Sequence, residues 1–218
     1  MTPEVAAALT PTLVGATAIA ALLLVAVAYE TVEVVDIIVH EGGHMVVGFL
    51  VGRRVQHFEI EPDRNAYTRF DPSPWGPARI ISGVAGYPAV SLVGLGGAAL
   101  LATGRAWPLL WTAVVLLVLA WIKSFGDLTS FVVVVLAIAL GYVAIYGSPV
   151  LQAALAAGLV WLLLFSGLRS AVTIPMGSDG SDAAALARDT LIPRQVWKAG
   201  FVAFALYCLW KGFLLLAP

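Results

Sequence analysis

Apolar residues along this 218-residue chain fall in long blocks, separated by short stretches rich in Pro, Gly and charge. The blocks are Leu13–Tyr29, Thr31–Val51, Ile80–Ala102, Trp107–Ile122, Leu128–Tyr146, Val150–Leu168 and Ala199–Leu216. A helix needs about 20 mostly apolar residues to cross a bilayer. The pattern therefore predicts an all-α polytopic membrane protein with six or seven transmembrane helices. Trp107 and Trp121 stand at the ends of the shortest block, and Tyr29, Tyr146 and Trp197 sit at other block ends, as interface anchors do.

Two segments break the pattern. Gly52–Arg79 is polar, and within it Val55–Glu61 alternates. Gln56, Phe58 and Ile60 share one face, while Val55, His57, Glu59 and Glu61 share the other. Residues 62–65 carry a turn signal, and Ala66–Phe70 again reads as a strand, so a cytoplasmic β-hairpin is expected over residues 53–71. The edge at Val55–Glu61 is a candidate for pairing with an extended peptide. Arg169–Lys198 contains Pro175, Gly177, Gly180 and Pro193. It is too polar to span and too apolar for a plain linker. A re-entrant segment over residues 170–198, with a short helix at Asp182–Arg188, fits it. Residues 1–218 read as a single domain without internal repeats.

Composition sharpens this picture. Hydrophobic residues make up 61% of the chain and charged ones 11%, and the mean hydropathy is +0.95. A soluble domain of this length cannot hide so much apolar surface, so the lipid bilayer is its solvent. No nucleic-acid partner is expected. Cys208 is the one cysteine, so no intrachain disulfide can form. Ala26-Val27-Ala28 resembles a cleavage site, but no Lys or Arg precedes the first apolar block and Glu4 does, so a retained first helix is expected. Ten of the twelve basic residues fall in Gly52–Arg79, Lys123–Asp127 and Arg169–Lys198. Basic loops face the cytoplasm. With seven spans this places the N-terminus and the opening of any site near these segments on the cytoplasmic side of the cell membrane.

The second block holds five titratable residues, Glu33, Asp36, His40, Glu41 and His44. Such residues are costly inside a bilayer and default to function. His40-Glu41-Gly42-Gly43-His44 is an H-E-x-x-H motif. On a helix, His40 and His44 lie one turn apart on one face, where two imidazoles can hold one Zn2+. Glu41, on the adjoining face, can act as the acid/base for a water without ligating the metal. Gly42 and Gly43 allow close backbone approach, either by a substrate or by an ordinarily packed helix. Asp36 lies one turn before His40, and is either a support for the His40 ring or an outward-facing end-of-span residue.

A catalytic zinc takes three protein ligands and keeps an open position. Candidates for the third are His57, Asp179, Asp182 and Asp189 in the polar segments. Asp182 is favoured and Asp179 is the alternative. Asp182 also precedes a helical run, where it or Ser181 can act as N-cap.

These residues resemble the site-2 protease family of intramembrane zinc metalloproteases, and its compact bacterial peptidase M50B-like branch in particular. The resemblance rests on His40–His44 in an early span followed by Val51-Gly-Arg-Arg-Val55 and a hairpin. It also rests on Ala85-Gly86-Tyr87-Pro88, on Ser181-Asp182-Ala183 and on Thr190-Leu-Ile-Pro193 with Trp197. The likeness runs from about Glu33 to Trp210. It implies zinc at His40 and His44, Glu41 as acid/base, a C-terminal Asp as third ligand, and cleavage of a transmembrane protein substrate within the bilayer. One departure is that Asn65 is the only Asn in the chain, so an Asn-Pro-Asp-Gly motif is missing; Asp179-Gly180 keeps the Asp-Gly pair, whereas Asp182 fits the compact branch. Two readings of other classes compete: a catalytically inactive scaffold or sensor of the same fold, and an ion- or proton-coupled transporter.

Overall fold

The computed structural model describes residues 3–61, 66–71, 76–177 and 180–216. Among these residues, ten helices and one pair of antiparallel strands follow in the order α1 Pro3–Ala8, α2 Pro11–Val27, α3 Tyr29–Leu50, β1 Val55–Ile60, β2 Ala66–Phe70, α4 Pro77–Val84, α5 Gly86–Ala102, α6 Ala106–Lys123, α7 Asp127–Tyr146, α8 Pro149–Thr173, α9 Asp182–Thr190 and α10 Arg194–Leu216; the turn expected at 62–65 lies outside them. The chain is an all-α polytopic membrane protein. Helices α6, α7, α8 and α10 are each long and apolar enough to cross a bilayer, and two bent pairs, α2 with α3 and α4 with α5, raise the number to as many as six.

The main departure from the expected spans lies at Ala28. Only this residue separates α2 from α3, and the two helices meet at 101°. The bend leaves the last carbonyls of α2 without helical donors. Arg169 on α8 supplies them: its Nη1 donates to the Val25 carbonyl at 2.5 Å and to Ala26 at 3.3 Å. The same guanidinium lies 4.5 Å above the Tyr29 ring.

Helix α8 forms the spine. Ser148 caps its first turn and Pro149 starts it. Ala153, Ala156, Ala157, Val160 and Leu164 on α8 are buried in the largest apolar cluster, with Ala21 of α2 and Ala98 of α5. Small residues let helix backbones approach where lipid offers no hydrophobic drive to associate. The exposed faces of α6 and α7, with Val115, Leu119, Phe131 and Ile138, match a lipid surround.

The hairpin is antiparallel, pairing Phe58 with Thr68 and Ile60 with Ala66. Phe58 and Ile60 are buried against Ile38 of α3, Ala120 of α6 and Val133 of α7, as the alternation predicts. Gln56 does not share that burial, because the register shifts between Val55 and His57; its amide donates to Asp71 instead. The edge at Val55–Glu61 is also not open to a peptide. The Phe125 N–H donates to the Phe58 carbonyl at 2.9 Å, and the Ile60 N–H donates to Thr129 Oγ1 at 2.9 Å. The α6–α7 connection and the first turn of α7 therefore cover β1, and both strands lie against α3.

Helix α9 packs Ala183 and Leu186 into a second apolar cluster with Ala171, Ile174, Phe201 and Ala205. Lys198 Nζ donates to the Ile174 carbonyl at 2.9 Å and Arg194 Nη1 to Met176 at 2.6 Å, closing the chain between α8 and α9 against α10. Arg79 on α4 pairs with Asp189 on α9 at 2.8 Å. These contacts bring the start of α9 over the middle of α3.

Candidate metal centre

Three side chains converge where α3 meets the start of α9. His40 Nε2 lies 2.9 Å from Asp182 Oδ2, His44 Nε2 lies 3.1 Å from the same oxygen, and the two Nε2 atoms are 3.2 Å apart. One helical turn between the histidines produces the short nitrogen spacing. The carboxylate arrives because Ser181, not Asp182, caps α9: Ser181 Oγ accepts the Ala184 N–H at 3.3 Å. Asp182 is thereby left to point at the imidazoles. Asp179 lies outside the described residues. His57 is placed elsewhere, its ring tilted against Phe125 at 4.6 Å, and Asp189 is engaged by Arg79.

The donor set fits a metal ion. Ligands at about 2.0–2.1 Å around a tetrahedral zinc stand about 3.3 Å apart, close to the three separations found here. The protonation pattern agrees. His44 Nδ1 lies 2.7 Å from the Ser82 carbonyl, which can only accept, so Nδ1 carries the hydrogen. Nε2 then directs a lone pair at Asp182 Oδ2, also an acceptor, and a cation at their meeting point reconciles the two. His40, His44 and Asp182 form the one group of this kind among the described residues.

Neighbouring residues hold the imidazoles in place. The bend between α4 and α5 falls at Ala85, and Ser82, in the last turn of α4, turns its carbonyl to His44. Ser82 Oγ meets Arg53, whose guanidinium stacks 3.7 Å from the Phe70 ring. The Val51–Val55 stretch thus ties the hairpin to the centre. Tyr87 packs edge-on to the His40 ring at 4.6 Å. Gly86 lies against both imidazoles, where a Cβ would sit 2.5 Å from His44 Nε2. Gly43 has the packing role expected of it: a Cβ there would meet Ala89 Cβ at 2.5 Å. Gly42 has open space around it.

Glu41 is buried and outside the converging set. Thr68 Oγ1, on β2, donates to Glu41 Oε2 at 2.6 Å. Sequence reasoning assigned no role to Thr68 or Ser82, and neither carries a local signal, since each acts on a partner 27 or 38 residues away. Gly86 and Tyr87 were visible only as parts of a motif. Asp36 does not reach His40 with a hydrogen bond. Its Oδ2 accepts from Tyr29 Oη at 3.4 Å, and its Oδ1 is buried without a partner. A cleft of about 230 Å³ joins Asp36 and Tyr29 at one end to His40 and Glu41 at the other.

Fold and site together define a polytopic membrane protein with a His, His, Asp centre beside a buried glutamate. The family model described as Peptidase M50B-like matches residues 12–212, and the chain belongs to that family. Comparison with curated proteins and with solved structures gives no match.

Proposed function

We propose that this protein is a zinc-dependent intramembrane endopeptidase that hydrolyses transmembrane protein substrates in regulated intramembrane proteolysis. The observation that carries the reading is the convergence of His40 Nε2, His44 Nε2 and Asp182 Oδ2 within 3.2 Å of one another, next to Glu41. Membership of the peptidase family supports it.

His40, His44 and Asp182 would hold the zinc, which when bound acidifies a water and polarises a peptide carbonyl. Glu41 takes the proton of the attacking water and returns it to the leaving amine nitrogen. Thr68 engages Oε2, so Oε1 is the oxygen left for this traffic. His44 keeps its ring fixed by donating Nδ1–H to Ser82. β2, with Thr68 against Glu41 and its partner β1 already covered, offers its other edge to an unwound substrate strand.

Orientation follows from charge. The segments 52–79, 123–127 and 169–198 touch one another through the Phe125–Phe58 and Arg79–Asp189 contacts, so they share one side. They hold ten of the twelve basic residues, which supports a cytoplasmic opening in the cell membrane. This side does not depend on whether α2 and α3 make one span or two. The side of the N-terminus does.

Metal analysis tests the reading. Purified protein carries about one zinc per chain, and Asp182→Ala or His44→Ala loses it together with cleavage of a membrane substrate. Protein that binds no zinc, or that cleaves as well without Asp182, returns the chain to the scaffold or transporter readings. Thr68→Val is expected to lower kcat about tenfold with little change in KM, because a hydrogen bond to a charged group is lost. Thr68→Ser, which keeps the hydroxyl, stays near wild type in the same assay.

A further inference from the structure

Asp36 is only 4% exposed, and its Oδ1 is buried without a hydrogen-bond partner. Buried polar atoms left unpaired are rare, and each one asks for a partner the fold itself does not supply. Helical donors do not account for it. Tyr29 Oη reaches only Oδ2, and at 3.4 Å that contact is long. Ser166 and Ser170 of α8 turn their hydroxyls toward the carboxyl, but neither stands in hydrogen-bonding geometry to Oδ1, and Ser166 Oγ is likewise buried without a partner. The carboxyl lines the same cleft as His40 and Glu41, with Ser170 and Thr173 across from it. It stands one helical turn, about 5.4 Å, along α3 from His40.

The reaction supplies the missing donor. A transmembrane helix must be unwound before its peptide bonds can be cut. Each N–H so released costs several kcal/mol if it stays unpaired in hydrocarbon. A fixed acceptor one turn from the cleavage centre meets such an N–H on a segment laid along the cleft.

We infer that Asp36 Oδ1 is a substrate-binding acceptor, which takes a hydrogen bond from an N–H of the unwound substrate beside the scissile bond. The inference rests on the protease reading and adds to it the residue that holds the substrate backbone open. A polar side chain of the substrate could offer the same donor chemistry, and the experiment separates the two sources.

The probe is a fluorescent 25-residue Leu/Ala membrane peptide with a central Gly-Ser-Gly stretch. Its affinity is measured for Glu41→Gln protein in lipid nanodiscs. Single ester bonds replace successive amides around the central stretch, each deleting one N–H. Asp36→Ala is expected to weaken binding about tenfold, one ester position is expected to weaken it equally, and the two losses should not add. Asp36→Asn, which keeps an oxygen acceptor, restores most of the binding. Zinc content and melting temperature of the Asp36 variants stay at the level of the parent protein, as a merely structural role would not allow. Coupling of Asp36→Ala to Ser→Ala in the peptide, with none to any ester, assigns the donor to a side chain and overturns the backbone assignment. Additive losses at every ester position, or no loss on Asp36→Ala, overturn the inference entirely. If Asp36→Ala fails to fold, the near-isosteric Asp36→Leu takes its place against the same ester series, with the same outcomes for and against the inference. Zinc content and cleavage are scored separately on wild-type protein, so failure of the protease reading shows there and not in the coupling.

Discussion

Glu41→Gln is expected to lower cleavage of a membrane substrate by about 10²–10⁴-fold, the usual contribution of a positioned acid/base, while the protein keeps its zinc. Gln has nearly the shape of Glu, and its amide oxygen can still accept from Thr68 Oγ1, which now lies 2.6 Å from Glu41 Oε2. The buried site and the hairpin contact should therefore survive. What is lost is the capacity to take a proton and give it back. Glu41 does not belong to the group formed by His40, His44 and Asp182, so metal content should not follow activity. Elemental analysis alongside a cleavage assay in proteoliposomes reads both quantities. Full activity in the variant would end the acid/base role, and loss of zinc would make Glu41 a ligand.

Gly86→Ala should cost the protein its metal affinity, by about 100-fold, the upper range for disturbing groups that orient metal ligands. A Cβ at this position would lie 2.5 Å from His44 Nε2 and 2.6 Å from His40 Cε1. Neither ring can simply swing aside. His44 is tied to the Ser82 carbonyl through Nδ1, and His40 is wedged against Tyr87. The rings must shift by more than the few tenths of an ångström that metal distances tolerate. Weakened zinc binding in a chelator competition is the expected signature. Wild-type zinc affinity in Gly86→Ala would show that the imidazoles are not held where this geometry has them.

Part of the site was legible because its determinants are local. The spacing of His40 and His44 needs only a helix, and the alternation of Phe58 and Ile60 needs only a strand. His40 and His44 lie side by side as a helix requires, and Phe58 and Ile60 share a buried face as a strand requires. The short helix at Asp182 was visible for the same reason, through small residues and a capping Ser181. Gln56 escaped the pattern because a one-residue shift in register changes what a strand position faces.

Apolar block length and helical periodicity thus determined, from the chain alone, that this is a multi-pass membrane protein with two histidines on one face of a single helix and a glutamate on the adjoining face. Tertiary structure alone decided the rest. It put Asp182 within 3.1 Å of a histidine 138 residues away, seated Thr68 on Glu41 and Ser82 on His44, and turned α2 from α3 at Ala28, where no Pro or Gly marks a break. Periodicity reports which face of one element avoids lipid or water. Which elements then meet, and at what angle, depends on the packing of clusters such as Ala171, Ile174, Leu186 and Phe201 drawn from distant parts of the chain.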